Sequence, residues 1–314
     1  YFGGIKAVVW VDALQMGLYL LGALIAAVAL QNLVPGGWGE ILSGAAAEGK
    51  LAVLDFQTSF SVPYTFWAGL AGGAFLTMGS HGTDQLIVQR LLTCKDLRAS
   101  QRALVGSGVV VVLQFLLFLL VGLGLWGYYG GQEFALPDEI FARFIVEALP
   151  AGLTGLLIAG VFAAAMSSLS SSINSLASAT AYDYWAPMVG AVDDEERIFR
   201  AGRVFTLVWA GLLVGGAILF IPLSQGTSAV EVALGIASLV YGGLLGVFAL
   251  GVLTERAGQA AAIVGIAVGI GVVTVLRDAM AYPWYVPTGS LVTFVVGWLV
   301  GGVLPRLPKP STAS

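Results

Sequence analysis

A polar stripe lies within a long apolar stretch of this sequence, residues 153–185. Its oxygen-bearing residues are Ser167, Ser170, Ser171, Asn174, Ser175 and Ser178, and Ser168 adds a further hydroxyl beside it. Residues three and four positions apart share a helix face, so most of these side chains would lie along one side of a helix. Such a stripe is costly against lipid and is expected to face other helices or a wet cavity. Hard oxygen ligands suit a small cation better than a soft metal. The alternative is close helix packing, with each serine bonding back to the preceding turn.

An acidic residue in the first apolar run favours the cation interpretation. Asp12 lies about two turns into that run, where a carboxylate needs a partner or a cation. It could instead reach the membrane surface, but Lys6 already marks that surface and an aspartate side chain is short. We therefore expect Asp12 to face the interior of the protein.

A third polar feature interrupts the apolar run 64–90. Gly79 and Gly82 flank Ser80 and His81, which is the single histidine of the chain, and Asp84 follows one turn after Ser80. Glycine-interrupted, polar-centred membrane helices are typical of midplane binding sites in transporters, where unwound backbone can contact a solute or an ion. The alternative is a kinked helix in which His81 bonds to a neighbour.

The composition defines the class of protein that carries these features. Hydrophobic residues make up 58% of the 314 and charged residues only 10%, whereas soluble domains carry about 25% charge. The sequence therefore predicts an all-α polytopic membrane protein. Its single cysteine, Cys94, excludes an intrachain disulfide and lies in a basic loop expected in the cytoplasm. No nucleophile–base constellation or metal-ligand cluster suggests an enzyme, and no nucleic-acid partner is expected.

Apolar runs of about 20 residues give eight predicted spans. They are 5–33, 64–90, 103–129, 152–185, 199–221, 230–253, 259–281 and 285–304. Strict alternation with a cytoplasmic N-terminus places eleven of the 14 Lys and Arg residues on the inner side. Only Lys50, Arg143 and Arg277 then lie outside. Both ends of the sequence are thus predicted to lie in the cytoplasm. The membrane is predicted to be the plasma membrane or the bacterial inner membrane. Pro137, Asp138 and Glu139 predict a short amphipathic helix on the outer surface.

Three segments together resemble the sodium:solute symporter family, which includes sodium–glucose, sodium–proline and sialic acid transporters. They are Gly3-Gly4-Ile5-Lys6-Ala7-Val8-Val9-Trp10-Val11-Asp12, Thr83-Asp84-Gln85-Leu86-Ile87-Val88-Gln89-Arg90, and the serine-rich stretch from Gly160 through Asn174-Ser175. The resemblance implies a partial five-plus-five inverted-repeat (LeuT-like) transporter fold. Residues 1–34 would be the last helix of the first repeat and residues 64–253 the five helices of the second. Residues 259–304 would be two accessory helices, and 305–314 a polar tail.

The same resemblance implies site residues and a function. Ala164, Ser167 and Ser168 match one half of the family's main sodium site. Asp12, Ser170 and Ser171 stand where some members hold a second sodium ion. Thr77, Ser80 and His81 fall at solute-binding positions of the sugar transporters but differ from them in residue type, which disfavours a sugar.

The function expected from the resemblance is sodium-coupled symport of a small organic solute by alternating access, with one or two sodium ions per solute. The alternative is a transporter-like sensory membrane domain, and a channel-like pathway lacks a recognisable filter motif. The sequence opens at Tyr1 and is expected to be a fragment. Because its first span matches the last helix of repeat one, the resemblance implies that most of the first repeat lies outside the sequence and that the sequence alone does not transport. We call the longer protein expected to supply those helices the parent protein.

Overall fold

The computed structural model describes residues 4–221, 228–255 and 258–303, and these residues form helices without strands. The α-helices are α1 (Gly4–Leu33), α2 (Gly37–Ala47), α3 (Gly73–Thr83), α4 (Gln85–Leu92), α5 (Leu97–Tyr128), α6 (Glu139–Ala148), α7 (Ala151–Ala179), α8 (Ala186–Val189), α9 (Glu195–Phe220), α10 (Ala229–Leu253), α11 (Gln259–Leu276) and α12 (Tyr285–Val303). Two π-helical turns, Ala68–Gly72 and Thr180–Trp185, precede α3 and follow α7, and a 3-10 turn, Tyr282–Trp284, leads into α12.

Seven helical stretches among the described residues are long and apolar enough to cross a membrane. They are Val9–Leu33, Leu97–Tyr128, Ala151–Val189, Glu195–Phe220, Ala229–Leu253, Gln259–Leu276 and Tyr282–Val303. Each corresponds to one of the eight predicted spans, so the all-α polytopic class is confirmed.

The remaining predicted span, 64–90, is divided into shorter pieces. Its helix stays intact through the glycine-flanked Ser80-His81 segment and breaks instead at Asp84, where φ is −77° and ψ is 114°. The backbone carbonyl of Asp84 accepts the amides of Ile87 and Val88 and so begins α4. The interruption expected in this span is therefore present, but it lies at Asp84 and not between Gly79 and Gly82. Glycine permits unwinding without requiring it.

Two helix starts are set differently, one by a capping side chain and the other after Asp138, which makes no capping bond. Helix α5 begins at Leu97, before the predicted residue 103, because the Asp96 carboxylate accepts the amide of Ala99 at 2.8 Å. The predicted surface helix is found as α6, whose Phe144 and Ile145 are buried. On its exposed side Arg143 pairs with Glu147 at 2.7 Å.

The chain folds as two compact units. The first contains Tyr1–Glu48 and Val112–Ser228, and the second Gly49–Val111 and Ala229–Ser314. The core of the first unit joins α1, α5, α6 and α7 through Leu30, Val121, Phe144 and Leu157, of which Leu30 and Phe144 are fully buried. Helix α7 also packs against α9, where the Trp209 indole donates to Thr180 Oγ1 at 2.9 Å.

The second unit is organised by a three-helix bundle of α10, α11 and α12, against which α3 packs. Its helices approach closely through glycines. An added Cβ at Gly246 would lie 2.6 Å from Thr293 Cβ, and one at Gly242 would lie 3.2 Å from Gly289 Cα. Small residues permit this close approach in membranes, where helices gain little from the hydrophobic effect.

Some predictions lie outside the described residues. These are the polar tail 305–314 and the basic side chains of Arg256, Arg306 and Lys309. The membrane orientation and the assignment of repeats stay predictions, because the two units divide the chain by compactness and leave its repeat symmetry untested.

Candidate sodium and solute sites

Helices α1 and α7 run antiparallel within the first unit. An added Cβ at Gly22 would overlap the Leu157 side chain, and one at Gly160 would lie 3.9 Å from Leu18 Cβ. Further along, the Gln15 amide Nε2 donates to the Ala163 carbonyl at 3.1 Å. Each step toward the start of α1 is thus matched by an equal step toward the end of α7.

This register locates Asp12 relative to the serines. Asp12 lies one turn beyond Gln15, and Ser167 lies one turn beyond Ala163, so the two are at the same height along the helix pair. Side chains on a helix tilt toward its N-terminus, which in α1 is the direction of Ser170 and Ser171. Those serines lie about 5–6 Å further along α7, since each residue adds about 1.5 Å. The register therefore brings the carboxylate and the serine stripe to one region of the first unit.

Burial along α7 separates the predicted ligands. Ala164, Ser167 and Ser171 are half-buried, as is Asp12, whereas Ser168 and Ser170 are exposed. The half-buried positions follow the face that continues from Leu157 and Gly160, which packs on α1.

The serine hydroxyls bear on the packing alternative. Ser172 Oγ donates to the Ser168 carbonyl at 2.9 Å, the back-bonding expected of a purely structural serine. Within the described residues, no such bond engages the hydroxyls of Ser167, Ser168, Ser170 or Ser171. These four serines thus keep hydroxyl oxygens available as ligands for a hard cation.

Gln15 is the functional candidate that sequence reasoning did not single out. Its amide joins the two helices at the level of Ala163, one turn from Asp12, and both Gln15 and Ala164 line a cavity of about 190 Å³ along the α1–α7 seam. The available signal was its position one turn after Asp12 in an apolar helix. Its partner carbonyl has no sequence signature.

The predicted solute residues lie on α3 in the second unit. Thr77 is exposed, and Ser80 and His81 are half-buried. Ser80 Oγ lies 2.9 Å from His81 Nδ1 and 3.3 Å from the Thr77 carbonyl. His81 therefore has the neighbouring partner foreseen in the alternative interpretation, while its ring remains partly accessible.

The break after α3 is held by a contact from α10. The Tyr241 hydroxyl donates to Asp84 Oδ2 at 2.7 Å, and an added Cβ at Gly79 would lie 3.0 Å from Tyr241 Cβ. Thr83 Oγ1 donates to the Gly79 carbonyl at 2.6 Å and completes the last turn of α3. Tyr241 thus fixes both the position of α3 and the point at which it ends.

Comparison with protein families decides the class of this chain. The profile described as "Sodium:solute symporter family" matches residues 1–269. The chain belongs to the sodium:solute symporter family. This membership confirms the resemblance carried by the three sequence segments, and the family is one of transporters and not of enzymes.

Individual relatives agree with the family assignment. The chain is 28% identical over 307 residues to the sodium/sialic acid symporter NanT of Aliivibrio fischeri, covering 95% of this chain and 60% of that protein. It is 30% identical over 279 residues to the human sodium-coupled monocarboxylate transporter 1, covering 86% and 45%.

A solved structure matches as well. A substrate-bound, outward-open Na⁺-coupled sialic acid symporter, described as revealing a novel Na⁺ site, superposes with a TM-score of 0.77 at 27% identity, covering 97% of this chain and 64% of that one. The chain therefore spans about half to two thirds of the length of the relatives it matches.

Proposed function

We propose that this chain forms part of a Na⁺-coupled symporter for a small organic solute. In this proposal Ala164, Ser167 and Ser168 provide one half of a main sodium site. Asp12, Ser170 and Ser171 hold a second sodium ion, and Thr77, Ser80 and His81 line the solute cavity. The observation that carries the proposal is the α1–α7 register, which brings Asp12 to the height of serines whose hydroxyls are not bonded back to their own helix.

The proposal assigns the helices to the two repeats of the family fold. Helix α1 is the last helix of repeat one. The pieces within 64–253 form repeat two, and α11 and α12 are accessory. With both ends of the chain in the cytoplasm, external sodium would enter from the side on which α6 lies.

The solute is proposed to be a small organic acid. Its support comes from the relatives, whose names specify sialic acid and monocarboxylates. The sugar-binding residue types are absent at Thr77, Ser80 and His81, which agrees with a solute other than a neutral sugar. The chain's own α3 offers hydroxyl and imidazole groups at these positions, and both groups can donate hydrogen bonds to a carboxylate.

Coupling follows from the charge of the second sodium site. An ionised aspartate within a membrane costs about 2.5–3.5 kcal/mol on insertion scales, and a bound sodium ion offsets much of that cost. Sodium binding would also fix α7 against α1, because both helices supply ligands. The inward sodium gradient would then favour the solute-binding conformation on the outer side and drive alternating access.

The experiment compares two serines one turn apart. In the parent protein, Ser168→Ala removes a proposed ligand and should raise the half-saturating sodium concentration for uptake of a labelled organic acid by at least about tenfold, since bonds to charged groups contribute about 1.5–3 kcal/mol. Ser172→Ala is the matched control, because its hydroxyl already donates to the Ser168 carbonyl.

Three outcomes decide the proposal. A large shift for Ser168→Ala alone supports it, and equal sodium dependence in both variants contradicts the assignment of Ser168. Sodium binding without sodium-dependent uptake would favour the sensory-domain alternative instead.

A further inference from the structure

Tyr241 contacts α3 on both sides of two predicted solute residues. It is the central residue of the 25-residue helix α10, so its contacts lie near the middle of a membrane crossing. The Tyr241 Cβ packs against Gly79, which precedes Ser80 and His81. The Tyr241 hydroxyl donates to the carboxylate of Asp84, which follows them. One side chain of α10 thus spans the turn of α3 that carries both solute residues.

Helix α10 is a firm base for this contact. Gly242, the next residue, packs against α12, where its added Cβ would lie 3.2 Å from Gly289 Cα. An added Cβ at Gly246, one turn later, would overlap Thr293 of the same helix. Helix α10 is therefore packed on α12 at these glycines, while Tyr241 reaches α3. Close packing leaves such helices little room to slide, so the position of α3 follows that of α10.

The predicted solute residues lie on the other side of α3. Successive helical residues are rotated by about 100°, so Thr77, Ser80 and His81 lie about 100–200° around α3 from Gly79. Ser80 Oγ lies 2.9 Å from His81 Nδ1, which joins two of these side chains on that face. Tyr241 therefore contacts one face of α3 while the solute residues occupy another.

We propose that Tyr241 is a positioning residue for solute binding, acting through its contacts at Gly79 and Asp84. This inference rests on the proposed function, in which Ser80 and His81 line the solute cavity. The Asp84 contact matters because Asp84 leaves the helical conformation and its carbonyl begins α4. Without the Tyr241 hydroxyl, the end of α3 loses this bond to α10, and the rotation of Ser80 and His81 about the helix axis is less well defined.

The first test measures solute uptake by the parent protein. Tyr241→Phe keeps the ring against Gly79 and removes only the hydroxyl. We expect the half-saturating concentration of a labelled organic acid to rise about tenfold, equivalent to about 1.4 kcal/mol, as suits a hydrogen bond to a carboxylate. The maximal rate should be retained, and so should the half-saturating sodium concentration at saturating solute, because no proposed ligand is changed.

Two further variants test the pairing. Tyr285→Phe is the matched control, since the Tyr285 hydroxyl donates to the Arg277 carbonyl at 3.2 Å in the same unit, and solute affinity should be retained. Asp84→Leu removes the acceptor of the Tyr241 bond. In that background Tyr241→Phe should have little additional effect on solute affinity, because the two changes remove one bond. Additive losses in the double variant would contradict the shared role.

The second test needs no transport and uses the 314-residue chain in detergent, purified without a polyhistidine tag. His81 is the single histidine, so histidine-selective isotope labelling gives one set of imidazole resonances by NMR. Tyr241→Phe should shift or broaden these resonances, and Tyr285→Phe should leave them unchanged. A change at His81 would show that the Tyr241 hydroxyl acts across α3.

The two tests separate this inference from the proposed function. If the parent protein takes up no organic acid, the proposed function fails, and the His81 spectrum alone decides whether Tyr241 positions this face of α3. Unchanged resonances in Tyr241→Phe would overturn the inference, as would equal shifts in both tyrosine variants. Unchanged solute affinity would also overturn it, even with a lower maximal rate or melting temperature, because Tyr241 would then support turnover or folding and not solute binding.

Discussion

The hydrogen bond from Gln15 to the Ala163 carbonyl leads to a prediction about sodium affinity. Gln15→Leu introduces an apolar side chain of similar size and removes the donor, and the Ala163 carbonyl retains its place in the α7 backbone ladder. The substitution therefore leaves no buried polar group without a hydrogen-bond partner and should leave folding largely intact. What it loosens is the height of α7 relative to α1, on which the proximity of Asp12 to the serines depends.

The expected magnitude follows from the environment of that bond. Its length of 3.1 Å is ordinary, and it lies on an exposed part of the first unit. Side-chain hydrogen bonds between membrane helices contribute about 0.6 kcal/mol on average and about 1.7 kcal/mol at most. Those energies correspond to about threefold and about eighteenfold changes in an equilibrium constant. We expect the half-saturating sodium concentration to rise by a factor in this range, closer to the lower value.

The assay is sodium-dependent uptake by the parent protein in proteoliposomes. The maximal rate at saturating sodium should be retained, because every proposed ligand is still present. Gln114→Leu is the matched control: Gln114 accepts only a long bond, 3.5 Å, from the Tyr19 hydroxyl in the same unit. Unaltered sodium affinity in Gln15→Leu would refute the reasoning, as would an equal shift in Gln114→Leu. A loss of thermal stability without a change in sodium affinity would reduce Gln15 to a packing residue.

Three further predictions test other parts of the structure. Asp12→Asn should lower the charge-to-solute flux ratio from that of two sodium ions to that of one, and a parent ratio of one that the variant leaves unaltered would defeat the two-ion proposal. His81→Phe should weaken solute affinity severalfold in uptake assays, and an unchanged affinity would make His81 a packing residue. Gly246→Ala should destabilise the second unit by about 1–3 kcal/mol in thermal unfolding, because the methyl group would overlap Thr293. Gly251→Ala on the same helix, where an added Cβ meets nothing, should have little effect, and equal melting temperatures would contradict the packing argument.

Local sequence patterns were sufficient to predict most of the helices. Apolar runs near 20 residues located seven spans, because the length of a crossing is set by the bilayer. The helix start predicted from Pro137, Asp138 and Glu139 is found at Glu139. The start predicted at residue 103 was wrong, because the Asp96 carboxylate caps α5 and the helix begins at Leu97. These features depend on neighbours in the sequence, which is why one sequence could reveal them.

The break in the second predicted span needed information from a distant residue. The glycines at 79 and 82 suggested an interruption near Ser80, yet the helix ends at Asp84. The Asp84 carboxylate accepts a hydrogen bond from the hydroxyl of Tyr241, which is 157 positions away in the sequence. Gly79 lies against the same tyrosine, so this glycine serves close helix packing and not unwinding. Periodicity cannot distinguish these two uses of a glycine.

The candidate sodium site likewise combines a feature that the sequence predicts locally with one that depends on a distant residue. The serine stripe followed from helical spacing, whereas its relation to Asp12 depends on a register fixed by Gln15 across 148 positions of sequence. The membrane limits what a pattern can specify here, because apolar helices in lipid gain little by choosing one apolar partner over another. Specific pairing must then come from polar bonds such as that of Gln15 or from close backbone approach.

The glycine-rich helices α10, α11 and α12 illustrate pairing by close backbone approach. Gly242 and Gly246 on α10 and Gly265 and Gly269 on α11 each show the four-residue spacing of close-packing membrane helices, a signal that is readable in the sequence. The sequence does not indicate which side chain enters between them. In the structure Thr293 of α12 contacts the positions where both Gly246 and Gly269 would carry a Cβ, so one residue joins all three helices. Glycine spacing thus predicts that helices pack closely, and the complementary residue on the facing helix determines which ones do.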